Sequence, residues 1–211
     1  MDKQPKQNYQ RKLEEIIKKI PEGTIPKLFL HACCAPCSSY VLEYLSQFFN
    51  ITLFFYNPNI MPEEEYQYRL SELRRLISEM PLKNPVSIVN GDWEYKKFIE
   101  LAKGLEHLPE RSERCQRCIE LRLEKTFQAA VEQNADFVTT TLSISPHKDA
   151  EFINNTGVLL SSKYNIPWLF SDFKKKGGYL RSIELSKEYK LYRQDFCGCV
   201  YSRQAREQEK R

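Results

Sequence analysis

Short runs rich in β-branched and aromatic residues alternate along this chain with amphipathic stretches, a pattern that few architectures satisfy. Lys27 to His31, Ile51 to Tyr56, Val86 to Val89, Asp136 to Thr141 and Pro167 to Phe170 read as strands. The helical period predicts helices over Tyr9 to Ile20, Ser38 to Phe48, Pro62 to Glu79, Trp93 to Leu101, Cys115 to Gln133, Lys148 to Tyr164 and Ile183 to Tyr189. Pro62 suits a first helical turn, and Glu63, Glu64 and Glu65 favour the positive end of its dipole. The alternation predicts an α/β fold, a mainly parallel sheet flanked by helices, with ligand-binding loops at the carboxyl ends of the strands. Its 211 residues suit one domain over 1–211, with frayed ends at about 1–8 and 204–211 where Lys, Arg, Gln and Glu dominate.

A chain with 41% hydrophobic residues can bury a core without disulfide staples. MDKQPKQNYQRKLEE opens polar, and no segment reaches the roughly 18 apolar residues of a membrane span, so the sequence reads as cytoplasmic, with no membrane partner. A net charge of +4 is compatible with nucleic acid but too weak to argue for it.

Seven cysteines fall in three clumps: Cys33, Cys34 and Cys37 in HACCAPC, Cys115 and Cys118 in RCQRC, Cys197 and Cys199 in FCGC. In a reducing compartment, clustered thiols point to metal or redox chemistry rather than to a disulfide framework. HACCAPCSS follows the first strand, where a nucleotide-binding protein of this architecture carries a glycine-rich phosphate cradle. No glycine occurs between Lys27 and Phe55, so metal is expected in place of phosphate. Cys115 and Cys118 are spaced to share one helix face near its positive end. Zinc would need sulfurs about 3.8 Å apart, and adjacent Cys33 and Cys34 in an extended segment are expected to diverge too far for it. An iron–sulfur cubane spreads its ligands over separate iron corners and is favoured. Gly198 lets Cys197 and Cys199 approach, so a strained, redox-cycling disulfide is the preferred reading and a second metal half-site the other.

HACCAPCSSYVLEYL, FFYNPNIMPEEEYQYRLSEL, ERCQRCIELRLEKT, TTTLSISPHKD and SDFKKKGGYLRSIELSKEYKLYRQDFCGCVYS together resemble the cobalamin-independent epoxyqueuosine reductases, the QueH family, from about Leu28 to Ser202. The resemblance implies an adenine-nucleotide-hydrolase-like (Rossmann-like) fold, a [4Fe-4S] cluster, and reduction of epoxyqueuosine to queuosine at the tRNA wobble position, the last step of queuosine biosynthesis. By the same match Cys33, Cys34, Cys115 and Cys118 correspond to the cluster ligands and Cys197 with Cys199 to the redox-active disulfide. Ile119 stands where an aromatic residue is expected. Cys37 is left over, either a ligand for an additional iron ion or a small buried thiol.

Removing an epoxide oxygen takes two electrons and two protons, so the cysteine pair is expected to deliver or relay reducing equivalents and an external low-potential electron donor to recharge it. Candidate substrate contacts are Asn57, Asn59, Glu65, Tyr66 and Arg69 after the second strand, with Lys174, Lys175, Lys176, Arg111, Arg114 and Arg117 for phosphates of the anticodon loop. Tyr56, Tyr66 and Tyr179 are candidates to stack a base or simply to pack. His31 reads as a neighbour tuning the cluster or as a core histidine; His107 and His147 carry no role. Two rivals remain: an ATP-dependent tRNA sulfur transferase of the same fold, whose phosphate loop is missing, and a zinc-stabilised RNA-binding module.

Overall fold

A computed structural model describes residues 7–210. The elements run α1 (Tyr9–Ile17), β1 (Lys27–His31), α2 (Ala35–Leu45), β2 (Asn50–Phe55), α3 (Glu63–Glu79), β3 (Val86–Asn90), α4 (Tyr95–Ala102), α5 (Glu113–Glu132), β4 (Phe137–Thr140), a 3-10 turn (Thr141–Ile144), α6 (Ala150–Tyr164), α7 (Gly178–Glu188) and α8 (Val200–Glu209). The four strands are parallel in the order β3-β2-β1-β4. Lys27 aligns with Asn50 and Leu28 with Phe137, so β1 is central and continuous in register with both neighbours.

Strand residues alternate between two cores because successive side chains leave a sheet on opposite faces. Leu28, Leu30, Ile51, Leu53 and Phe55 pack under α2 and α3, whereas Phe29, Phe54 and Val138 pack under α5 and α6. Burial on both faces explains why these strands read as near-continuous apolar runs.

The chain leaves β1 towards β2 on one side and later returns to pair β4 on the other, which makes the β1/β4 boundary the topological switch point. In sheets of this kind ligands bind in the region outside the carboxyl ends of these two strands. The loop holding Cys33 and Cys34 enters it from β1, and Thr141 enters from β4, its hydroxyl 3.3 Å from the Cys33 amide.

Three expectations need correction. The expected fifth strand is reduced to one bridge, Val138 to Trp168, because Pro167 lacks an N–H and the Ser171 amide turns to the Asn154 side chain at 3.0 Å. The tail expected to fray from 204 continues as α8, held by Arg203–Glu207, Arg206–Glu209 and Lys210–Asp195 pairs. At the other end Asn8 caps α1, accepting from the Arg11 amide at 3.0 Å; the remainder of the frayed-end expectation, residues 1–6 and 211, lies outside the described residues.

Candidate metal and redox site

Cys34 is the N-cap of α2, in extended backbone, and Pro36 fills a first-turn position where an N–H would have no partner. This turn overrides the expected divergence of adjacent side chains. The Cys33 and Cys34 sulfurs lie 3.8 Å apart, and with Cys37 all three fall within 4.8 Å of one another. The spacing that a single metal ion requires, and that these adjacent cysteines were expected to miss, is therefore met, because Cys34 is already turning into a helix. Within the trio Cys34 is the most acidic thiol. Hydrogen bonds from Cys33 and then Cys37, with the Arg69 charge beyond, hold its thiol well below the ordinary value. The same sharing pushes Cys33 up to about 11 and Cys37 well above its usual range.

The first turns of α5 bring Cys115 and Cys118 to a small cavity of about 20 Å³, which Cys197 and Cys199 also line together with Asn59, Arg114, Arg122 and Lys148. Burial raises Cys118 to about 11, with the Cys197 and Cys199 sulfurs adding to it. Cys199 also caps α8, its sulfur 3.4 Å from the Ser202 amide. Between Cys197 and Cys199 the chain takes φ +115° at Gly198. A Cβ there would sit 2.9 Å from Ile60 Cγ1 and 3.1 Å from Arg69 Nη1. The Gly198 carbonyl accepts from the Met61 amide at 3.0 Å, and Arg69 Nη1 donates to the Cys197 carbonyl at 3.2 Å.

Arg122 joins the clumps. Its Nε donates to the Cys118 carbonyl at 3.2 Å and its Nη1 to Asn57 Oδ1 at 3.3 Å, while Asn57 Nδ2 donates at 2.9 Å to the carbonyl of Ala32, next to Cys33. Burial opposes its charge, but Cys118, Cys197, Cys33 and Cys115 outweigh burial and raise its pKa. Arg114 Nη1 donates to the carbonyls of Leu105, Glu106 and Leu108. Neither arginine has a carboxylate partner among the described residues. A buried cation without an acid must be balanced by another anion, and the groups facing Arg122 are sulfurs. Asn59 Oδ1, Arg69 Nη2 and Arg114 Nε are buried without partners at or beside this cavity. A soft sulfur donor set beside two arginines without carboxylate partners fits an anionic thiolate-ligated metal centre.

The remaining sequence candidates separate. Asn59 lines the cavity, and Arg69 pairs with Glu65 at 2.7 Å. Tyr66 is buried with its hydroxyl donating to the Gly91 carbonyl at 2.8 Å, and Tyr56 donates to Glu94 at 2.8 Å, so both pack rather than face a ligand. Lys174 and Lys175 line an open cleft of about 630 Å³ with Arg111 and Lys148, whereas Lys176 pairs with Glu14 on α1. His31 is a satisfied core histidine, Nδ1 2.8 Å from Thr140 Oγ1 and Nε2 3.1 Å from the Tyr56 carbonyl. Burial and then Arg122 lower its pKa to about 4, so the ring is neutral. Sequence reasoning missed Arg122 and Lys148. Arg122 lies one turn beyond Cys118, on the same helix face, which was the available signal.

A four-stranded parallel sheet flanked by helices, with a cysteine trio in the loop after its central strand, defines an adenine-nucleotide-hydrolase-like fold that carries a candidate metal site. The solved structure of the U34-tRNA thiolase NcsA from Methanococcus maripaludis with its [4Fe-4S] cluster shares this fold, with a TM-score of 0.55 and 13% identity over 92% of this chain and 67% of that one. The family described as Epoxyqueuosine reductase QueH matches residues 28–205. Relatives of that name from Streptococcus pyogenes serotype M1 and Thermotoga maritima are 42% and 36% identical, over 96% and 85% of this chain and 80% and 90% of theirs. The chain belongs to the epoxyqueuosine reductase QueH family. It is an oxidoreductase that reduces epoxyqueuosine to queuosine, with tRNA as its substrate. No helix among the described residues is long and apolar enough to cross a membrane.

Proposed function

We propose that Cys33, Cys34, Cys115 and Cys118 hold a [4Fe-4S] cluster and that Cys197 and Cys199 cycle between dithiol and disulfide beside it, as the chain acts on the wobble nucleotide of tRNA. The observation that supports this reading is the buried Arg122 guanidinium, bonded to the Cys118 carbonyl and, through Asn57, to the carbonyl of Ala32 next to Cys33, with Cys118, Cys197, Cys33 and Cys115 all favouring its charge. When bound, such a cluster would supply single electrons and a Lewis-acidic iron. The protein's own groups do the rest. Arg122 and Arg69 balance negative sulfur, Gly198 gives the cysteine pair its sharp bend, and Asn59 offers an unpartnered acceptor inside the cavity. Lys174, Lys175 and Arg111 line the open cleft as phosphate contacts for the anticodon loop. One α/β unit suffices for this chemistry, in the cytoplasm, with an external low-potential donor to reduce the disulfide.

Cys37, whose sulfur lies within 4.8 Å of those of Cys33 and Cys34, is placed to bind one additional iron ion beside the cluster. The same spacing would suit zinc, the non-redox alternative.

Anaerobic purification with iron, sulfide and zinc analysis, followed by an assay on epoxyqueuosine-containing tRNA with chemically reduced protein, tests the reading. It predicts a brown protein carrying iron and sulfide that yields queuosine. A colourless, zinc-only protein without turnover would overturn it.

A further inference from the structure

Lys148 stands at the junction of the two cavities. It lines the small cavity that holds Cys115, Cys118, Cys197 and Cys199, and it also lines the open cleft with Arg111, Lys174 and Lys175. Among the described residues it is the only one shared by both. It follows SISPH, and its side chain is 9% exposed. The ammonium nitrogen lies 3.4 Å from Cys197 Sγ and 3.3 Å from Glu110 Oε1. A lysine held between the Cys197 sulfur and the open cleft has no packing duty that a methionine could not perform.

We propose that Lys148 is the proton donor to the epoxide oxygen as that oxygen leaves the substrate as water. The inference rests on the function proposed above. Its balance is closed by groups already named. Both carbon–oxygen bonds of the epoxide break and a carbon–carbon double bond forms. Cys197, its proton held on Lys148, and Cys199 join as a disulfide and release two electrons; the Lys148 proton and the Cys199 thiol proton leave with the oxygen as water. Lys148, in contact with Cys197, carries one of those protons to the oxygen.

The electrostatics couple the two events. Burial weighs against the ammonium, but the Cys197 charge and then Glu110 outweigh burial and raise its pKa. Joining Cys197 to Cys199 removes the negative partner that retains the proton, so oxidation of the pair loosens the proton as it is needed. Arg122, which also faces Lys148, pushes in the same direction.

The test uses cluster-loaded wild type, Lys148→Ala and Lys148→Arg on epoxyqueuosine-containing tRNA, with iron content and tRNA affinity measured alongside. Queuosine formation by the wild type checks the underlying function; its failure there would sink that reading before Lys148 is at issue. With the wild type active, the expected result is a kcat lower by roughly 10²- to 10⁴-fold in both variants, at unchanged iron content and tRNA affinity. Small primary amines added to Lys148→Ala restore part of the rate through the open cleft. Recovery of the wild-type rate by Lys148→Arg would show that only fixed charge matters and overturn the proposal. Failure of amines to rescue Lys148→Ala would overturn it equally.

Discussion

At the scale of single residues, the site depends on one position without a side chain and on one buried cation. Gly198 takes φ +115° with Ile60 and Arg69 pressed against it, so Gly198→Ala strains the backbone and collides with both neighbours. The expected loss is about 1–3 kcal/mol of local stability. Thiol-specific labelling of Cys197 and Cys199, matched against turnover, reads it; normal activity would show that the bend is dispensable. Cys197→Ser and Cys199→Ser should abolish multiple turnover while leaving the visible spectrum and iron content at wild-type levels, and unchanged turnover would remove the redox role. Arg122→Gln leaves the sulfurs without their shared counter-charge, and iron retained after anaerobic reconstitution is expected to fall, as metal affinity drops about 10- to 100-fold when supporting contacts are lost. The cysteines were legible in the sequence because clumped thiols have few uses. Arg122 and Lys148 were not, since an arginine on an amphipathic helix reads as solvated surface until the fold buries it against sulfur.

At the scale of elements, α3 anchors the segment that carries the cysteine pair. Glu72 accepts from the Tyr192 amide at 3.1 Å and from Arg75 at 3.0 Å, while Arg75 reaches the Tyr189 carbonyl at 3.1 Å. The Arg75 hydrogen bond holds the Glu72 carboxyl below its ordinary value, the Tyr192 amide adds to this, and burial opposes it. A carboxyl with a depressed folded pKa stabilises above its unfolded pKa and loses that contribution as pH falls through the folded value. Glu72→Gln is therefore expected to lose about 1–2 kcal/mol at pH 7 and to match the wild type once the pH is acid enough to protonate Glu72 in the folded state. Urea unfolding at neutral and at that acid pH checks this, and an equal deficit at both would refute the titration. Most elements were legible from their period, but two were not. Pro167 and the pull of Asn154 removed a strand that composition favoured. Side-chain pairs one turn apart kept α8 wound through a tail whose charge suggested fraying.

At the scale of the molecule, the net charge of +4 says less about RNA than the way the fold divides one run of lysines. Lys174, Lys175 and Lys176 are adjacent in sequence, and three equal phosphate contacts would be the simplest expectation. The turn into α7 separates them. Lys176 points to Glu14 on α1 and is neutralised there. Lys174 faces the cleft but shares its charge with Asp172 at 2.8 Å and reaches the Ser143 carbonyl at 3.3 Å. Lys175 lines the same cleft and has no carboxylate partner among the described residues. Binding to single-stranded nucleic acid loses about 0.7 in the slope of log affinity against log salt for each phosphate contact removed. Lys175→Gln is accordingly expected to flatten that slope by about 0.7 between 50 and 200 mM salt, Lys174→Gln by less, and Lys176→Gln not at all. Filter binding of anticodon stem-loop RNA by each variant gives the three slopes. Equal slopes for all three would mean that the RNA lies elsewhere, and a loss at Lys176 alone would move it from the cleft to the face of α1.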